Sequence, residues 1–359
     1  MEKTENLQPA APGQKIRELL SERGMLQKEF ALRMGLTEKH VSKLINGEVQ
    51  LTVDVSLKLE TVLGIPAAEW NAMEAVWREM LLREEYDAHS KEEAALAQLI
   101  PYAEMAKLGW VPETGELKEK VRRLREFFEV TDLALIETWQ ISGAACRDLS
   151  MQEKEDLTVV AWIQAARKKA RENAGAAYGG KGLLEVAKAL RSFTNEKPAT
   201  FLPVLTEKLA EQGVCLTFLP RLRGLFVQSA AILSGNRVVI AMTEKKMTDG
   251  EFWFRLYREL GHVSLGHVWQ QEGTTEQDER DASLWARNAL LARSEYDAFL
   301  EKGSFTEKSV LEFAGQQGIA PGILLERLQH DGLVGGGSLN RLKKEYDFGD
   351  KRKKAKEAK

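Results

Sequence analysis

The spacing of small and apolar residues in segment 27–47 constrains the fold of this chain more than any other feature. The segment reads QKEFALRMGLTEKHVSKLING. Gly35 can adopt the positive φ that turns a chain sharply out of one helix, and Thr37 can cap the N-terminus of the next. Ala31 is small where two helices would have to cross closely, while Leu36 and Val41 can face a core. The pattern predicts two short helices joined by a tight turn.

Polar side chains occupy the outer face of the second predicted helix. A helix presented in this way reads DNA bases through its N-terminal residues, so we expect Lys39 to donate to guanine and Glu38 to accept from cytosine. Four other residues are better placed to hold phosphates, namely Gln27, Lys28, Lys43 and Asn46. The candidate DNA-contacting residues are Gln27, Lys28, Thr37, Glu38, Lys39, His40, Ser42, Lys43 and Asn46. Taken alone, the residues also allow an ordinary helical hairpin with a solvated charged face.

This segment resembles the lambda-repressor-like (Cro/C1 or XRE) helix-turn-helix family, over about residues 12–77. The continuation LGIPAAEW, residues 63–70, looks more specifically like the HigA type of that family, whose members are antitoxins. The resemblance implies a domain that binds operator DNA as a homodimer, with half-sites about one helical turn apart. It also implies a toxin as the protein partner.

The charge balance, the cysteine content and the lack of long apolar runs exclude several classes of protein. Lys and Arg total 51 against 54 for Asp and Glu, so the net charge of -3 excludes a uniformly basic DNA-packaging protein. Cys146 and Cys215 have no CxxC partner, which argues against a disulfide scaffold and against a thiolate zinc site. Segment 1–12 shows no secretory signal and no apolar run approaches the roughly 20 residues of a membrane helix, so we expect a cytoplasmic protein without a membrane partner.

The expected fold class is mainly α, with an α+β region near the C-terminus. The hydrophobic periodicity, together with the turn-forming Gly and Pro residues between periodic segments, divides the chain into five parts. We expect a disordered N-terminus (1–11), a lambda-repressor-like helix-turn-helix domain (12–83), a helical connector (84–195), an α+β domain (196–348) and a basic disordered tail (349–359). In the α+β domain, β-branched runs at 229–233 and 237–241 flank Ser234-Gly235-Asn236 and predict a hairpin.

A helix in the α+β region carries an altered metal-binding motif. Zinc proteases place two histidines at i and i+4, with a glutamate as general base, in the pattern HExxH. Here Glu259 and His262 fit, but Arg258 stands at the first histidine position. A guanidinium has no lone pair to donate and repels a cation. His267 would lie about 140° further around a continuous helix, which makes it a poor replacement.

The remaining donors are too few for tight zinc binding. Besides His262, the following helix offers one carboxylate, from Glu279 or Asp281. Catalytic zinc normally has three protein ligands. We therefore expect no cofactor; the alternative is a zinc site completed by water or another side chain.

The region also resembles the ImmA/IrrE family of metallopeptidase-like proteins, which implies a zincin-like fold. EFWFRLYRELGH matches that family's metal-binding helix, and DERDASLWARNALL, residues 278–291, its downstream helix. By this resemblance Glu259 would be the general base, His262 the second histidine ligand and Asp281 the third ligand. Arg258 departs from the pattern. We expect a degenerate peptidase in which Arg258 pairs with Asp281 or Glu259, so that a fixed positive charge replaces zinc.

Together the two resemblances predict an antitoxin of a toxin-antitoxin system that also represses its own operon. The C-terminal domain would be a pseudo-peptidase that binds the toxin. Two alternatives remain from the sequence. One is a zinc endopeptidase that cleaves a repressor, with Glu259 as its catalytic residue, and the other is a repressor whose C-terminal part senses a ligand or a stress.

Overall fold

The structure is a computed structural model that describes residues 11–138, 154–173, 175–180, 182–270 and 273–349. The expectations for Cys146, for segment 1–10 and for segment 350–359 lie outside these residues. The chain forms two compact units, Met1–Glu92 and Glu93–Lys359. The described part is mainly helical, and its strands lie in the second unit, so the expected fold class is confirmed.

Amphipathic helices build the first unit around one small core. They are α1 (Pro12–Glu22), α2 (Gln27–Met34), α3 (Glu38–Ile45), α4 (Val53–Leu63) and α5 (Ala67–Leu99). Each contributes a fully buried apolar side chain to this core, namely Ile16, Phe30, Val41, Leu59 and Trp70. The last helix, α5, continues past the boundary that the sequence suggested at residue 83 and ends at Leu99.

Eleven α-helices and five strands follow in the described part of the chain. The first five helices are α6 (Tyr102–Lys107), α7 (Leu117–Phe128), α8 (Leu135–Thr138), α9 (Lys154–Arg171) and α10 (Leu183–Leu190). After them come α11 (Pro198–Glu211), α12 (Asp249–Ser264), α13 (Glu276–Leu290), α14 (Arg293–Leu300), α15 (Glu307–Gln317) and α16 (Pro321–His330). The strands are β1 (Val214–Leu219), β2 (Ser229–Ser234), β3 (Arg237–Thr243), β4 (Lys246–Thr248) and β5 (Glu345–Asp347).

A three-stranded sheet of order β1-β3-β2 forms the centre of the second unit. The predicted hairpin is present, with β2 antiparallel to β3 and Ser234 opposite Arg237. Gly235 has φ +61°, as its tight turn requires. Strand β1 runs parallel to β3, and a second, two-stranded sheet pairs β4 with β5.

Both faces of the three-stranded sheet are buried, because alternate side chains of a strand point to opposite faces. Val238 and Ile240 of β3 pack in the core that contains α12, whereas Val239 and Ala241 pack in the core that contains α9. The expected connector and the expected α+β domain therefore share this sheet. The sequence-based boundary at residue 195 does not separate two compact units.

Helix α12 lies between the sheet and the later helices. A capping box between Thr248 and Glu251 starts it. A Cβ at Gly261 would lie 2.9 Å from the carbonyl oxygen of Ala282, so α12 and α13 approach more closely than a larger residue would allow. This close crossing brings the polar residues of the two helices together.

Candidate DNA interface and ion-pair cluster on α12

The turn between α2 and α3 has the local geometry that the sequence predicted. Gly35 ends α2 with φ +64°, and the N–H of Leu36 donates to the carbonyl of Ala31 over 3.0 Å. Thr37 caps α3, since its Oγ1 accepts from the N–H of His40 over 3.1 Å. The two signals together fix the angle at which α3 leaves α2.

Helix α3 packs against α1 through a direct contact between backbone atoms. A Cβ on Gly13 would lie 2.1 Å from the carbonyl oxygen of Ile45, so the start of α1 touches the end of α3 through backbone atoms. Val41 and Leu44 are buried on the same side of α3. The opposite side of the helix faces away from this core.

The candidate DNA-contacting residues lie at the surface of the first unit. Lys28, Lys39 and Lys43 are exposed, and none of them forms an ion pair with another described residue. His40 and Ser42 are half-buried beside them, and the remaining candidates are exposed, namely Gln27, Thr37, Glu38 and Asn46. A surface with unpaired lysines around a polar helix face is suited to a phosphate backbone.

One candidate has intramolecular partners that the sequence did not suggest. The Oδ1 of Asn46 accepts from Nη2 of Arg17 over 2.5 Å, and its Nδ2 lies 3.4 Å from Oε1 of Glu48. Arg17 lies on α1, 29 residues earlier in the chain, so local spacing does not associate it with α3. The structure thereby adds a cation at the C-terminal end of α3.

Comparison with known proteins agrees with this geometry. Residues 15–70 match the helix-turn-helix family. A protein of Escherichia coli (strain K12) named as the uncharacterized HTH-type transcriptional regulator YddM is 32% identical over 66 residues, which are 18% of this chain and 70% of that protein. This chain belongs to the helix-turn-helix family. Its α2 and α3 are the two helices of the motif, and the first unit is a helix-turn-helix domain.

A solved structure also shows similarity. It is titled as an addiction module antidote protein of a HigA family from Coxiella burnetii, with 19% identity and a TM-score of 0.22, and the match covers 24% of this chain and 96% of that one.

Among the described helices of this helix-turn-helix protein, none is long and apolar enough to cross a membrane.

A partly buried ion-pair cluster surrounds Arg258 on α12. The Nη2 of Arg258 donates to Oε1 of Glu259 over 3.1 Å, which is one of the two pairings that the sequence predicted. The other partner is Glu279, whose Oε2 lies 2.8 Å from Nη1 of Arg258. Of the two predicted alternatives, the pairing with Glu259 is therefore present and the pairing with Asp281 is not. Two residues along α13 is about 200° around the helix, so when Glu279 faces α12, Asp281 faces away and accepts from Gln277 instead.

Glu259 is fully buried and tied to two neighbours. Its Oε1 also accepts from Oγ of Ser229 on β2, over 2.8 Å. The charge of Glu259 is the main reason why the pKa of the Arg258 guanidinium is raised. The carboxylate that the resemblance assigns as a general base is therefore the counter-ion of a permanent cation.

The two histidines of this region are neighbours, contrary to the expectation from helical spacing. α12 ends at Ser264, and Gly266 with φ +84° turns the chain into a short 3-10 helix that begins at His267. The Nδ1 atoms of His262 and His267 lie 3.0 Å apart as a result. Burial, followed by the charge of His262, lowers the pKa of His267.

The donors around Arg258 do not fit zinc. The Nε2 of His262 lies 3.5 Å from Oε2 of Glu279, and this oxygen is already the partner of the guanidinium. Although burial opposes it, the hydrogen bond and charge of His262 and the charge of Arg258 lower the pKa of Glu279. Within the described residues no group of three or more His, Cys, Asp and Glu side chains could hold a metal ion. A cation at this place would meet a fixed positive charge and too few ligands.

Proposed function

We propose that this helix-turn-helix protein is a transcriptional autorepressor that reads an operator through α3. The observation that carries the proposal is the exposed polar face of α3, held in place by the αL turn at Gly35 and the cap at Thr37. The N-terminal residues of such a helix reach base edges in the major groove. Lys39, in the first turn, is assigned to base contact, and Lys43, one turn later, to phosphate.

Binding as a homodimer is part of this proposal. A single recognition helix contacts only a few base pairs, so a pair of domains is needed for operator specificity. The operator is then an inverted repeat with half-site centres about 34–36 Å apart.

Two lysine variants and one matched control test the assignment. Lys39→Ala removes a base contact and is expected to weaken specific binding by about 5- to 150-fold, the equivalent of roughly 1–3 kcal/mol. Lys43→Ala removes a phosphate contact and is expected to lower the slope of log K against log salt by about one. Lys58→Ala on α4 is the control, because Lys58 pairs with Asp54 over 2.8 Å and lies outside α3.

Affinity is measured by fluorescence anisotropy with the DNA that lies upstream of the gene for this chain, at several salt concentrations. A scrambled duplex of the same length reports non-specific binding. If Lys39→Ala and Lys58→Ala bound the upstream DNA equally well, α3 would not be the recognition helix.

For the second unit, we infer that it binds a partner protein and does not hydrolyse peptides. The ion pair between Arg258 and Glu259 supports this inference, since it neutralises the expected general base. The resemblance of residues 12–77 to HigA-type antitoxins favours a toxin as that partner. No zinc is held at His262 in this proposal.

Co-expression tests the partner. The product of the adjacent gene is expected to stop growth when it is expressed alone, and growth is expected to return when this chain is co-expressed. Glu259→Gln should preserve this rescue, since no hydrolysis is involved. Loss of rescue by Glu259→Gln, together with cleavage of a repressor by the wild-type chain, would establish a peptidase instead.

A further inference from the structure

A cavity where α12, α13 and α16 meet has an apolar floor. The cavity measures about 100 Å³, and its apolar lining consists of Phe254, Leu290, Leu291 and Ile323. The last three of these side chains are buried. An apolar cavity of roughly 150 Å³ holds one benzene molecule, so this floor has room for an aliphatic group of about four or five carbons. Such a group would gain the dispersion contacts that the lining now lacks on one side.

The polar members of the lining are the ones that reach solvent. Arg287 on α13 is half-buried, as are Glu326 and Arg327 on α16, while His330 at the end of α16 is exposed. The mouth of the cavity is therefore polar. A ligand that inserts a hydrocarbon group into the floor leaves its polar group at this mouth.

The guanidinium of Arg287 has donors that a ligand can reach. Among the described residues its hydrogen-bond partner is the ring of His330, whose Nε2 lies 3.1 Å from Nη2 of Arg287. The Nε and Nη1 atoms of Arg287 have no partner among the described residues, and neither atom is buried. An anion at the mouth can accept from this guanidinium without displacing a carboxylate of the protein.

The acidic side chains near the mouth already have partners. Glu326 pairs with Lys343. The hydroxyl of Tyr296 donates to Oδ2 of Asp331 over 2.8 Å, and the Oδ1 of Asp331 lies 3.2 Å from Nδ1 of His330. These contacts hold both carboxylates away from Arg287, which pairs with neither of them.

The charge of the lining is positive. It contains two arginines and one carboxylate, that of Glu326, whose charge is balanced by Lys343. Arg327 is engaged within the protein, because its guanidinium lies 3.7 Å from the centroid of the Tyr296 ring and donates to a backbone carbonyl. Arg287 is thus the cation of the lining that a ligand can pair with. One accessible guanidinium balances a monoanion, which favours a carboxylate over a phosphate dianion.

We propose that this cavity binds a small branched aliphatic carboxylate. The hydrocarbon group packs against Leu290, Leu291 and Ile323, and the carboxylate accepts charge-assisted hydrogen bonds from Arg287. The site lies in the second unit and does not depend on operator binding by α3. It gives this unit a ligand that neither the helix-turn-helix family nor the altered HExxH motif implies.

Calorimetric titration of the full chain with 4-methylpentanoate tests the site. Two analogues separate the two halves of this ligand: 4-methylpentanamide keeps the hydrocarbon group without the charge, and acetate keeps the carboxylate with almost no hydrocarbon. The buffer contains no other carboxylate, and the ionic strength is constant. We expect saturable binding of 4-methylpentanoate with a Kd of about 1 mM or below, about tenfold or more tighter than either analogue.

Arg287→Gln is expected to weaken binding of 4-methylpentanoate about tenfold and to leave binding of 4-methylpentanamide unchanged. Arg287→Lys should recover part of the loss, because it keeps the charge but not the planar guanidinium. Arg293→Gln is the matched control, since Arg293 lies on α14 outside the lining and pairs with Asp297, and it should bind like the wild type.

The floor is tested by Ile323→Val, which removes one methylene group and is a mild change in a core. This variant should raise the affinity for the bulkier cyclohexylacetate relative to that for 4-methylpentanoate. Absence of saturable binding of 4-methylpentanoate, equal affinity in the wild type and Arg287→Gln, or an unchanged ratio of the two affinities in Ile323→Val overturns the proposal.

Discussion

The buried pair between Arg258 and Glu259 gives a prediction about stability that follows directly from its geometry. Arg258→Met keeps most of the side-chain volume and removes the charge. Glu259 is fully buried, and only Ser229 then remains as a hydrogen-bond donor to its Oε1. The Oε2 atom of this carboxylate is buried without a partner even in the wild-type chain.

The expected loss in the free energy of unfolding follows from the cost of leaving the charge of Glu259 unpaired in the interior. Removal of one partner of a buried ion pair costs about 3–5 kcal/mol. Arg258 retains 31% of its side-chain exposure, so we expect the lower end of this range, about 3 kcal/mol. For a unit of this size, that loss corresponds to a fall in Tm of roughly 6–12 °C.

A double-mutant cycle separates the unpaired charge from simple loss of packing. Adding Glu259→Gln to Arg258→Met removes the stranded charge, while the amide oxygen can still accept from Ser229. We expect this second change to restore at least about 1 kcal/mol, which is a coupling typical of residues in direct contact. Urea denaturation followed by tryptophan fluorescence and by circular dichroism measures all four proteins. A loss below about 1 kcal/mol in Arg258→Met, with no recovery in the double variant, would refute the reasoning.

Three further predictions concern pH, packing and metal. Burial raises the pKa of Asp249 from 3.8 to about 6. The folded chain therefore binds this proton more tightly than the unfolded chain. The free energy of unfolding is highest below pH 3.8 and falls as the pH rises through 6. Asp249→Asn should therefore be about 3 kcal/mol more stable than the wild type in urea at pH 8, and the gain should shrink toward pH 4; an equal gain at both pH values would contradict this. Gly13→Ala places a methyl group against the carbonyl of Ile45, which should cost about 2 kcal/mol and abolish operator binding in the anisotropy assay, whereas Gln14→Ala should do neither. Elemental analysis should find less than one equivalent of zinc in the wild type and about one in Arg258→His, and zinc in the wild type at full occupancy would contradict the ligand count.

Local rules were sufficient for the DNA-binding motif. Gly35 and Thr37 act on the backbone within a few residues of themselves, so their positions in the sequence predicted the turn and the cap that the structure contains. The β2–β3 hairpin is equally local, because Gly235 and its neighbours determine the turn. The inability of Arg258 to ligate a metal is a property of the side chain itself and needs no tertiary information.

Contacts between distant segments depend on how the elements pack. The choice of Glu279 over Asp281 was decided by the rotation of α13 against α12. The meeting of His262 and His267 depends on a chain reversal after α12, which helical spacing does not describe.

By itself, the sequence determined the helix-turn-helix motif, the mainly helical class and the inability of residue 258 to ligate a metal, because each of these depends on short-range backbone preference or on the chemistry of one side chain. Only the tertiary structure decided which carboxylate pairs with Arg258, that Arg17 reaches Asn46, and that Arg287 lines a cavity. These contacts join residues far apart in the chain, and helix phase and packing set them.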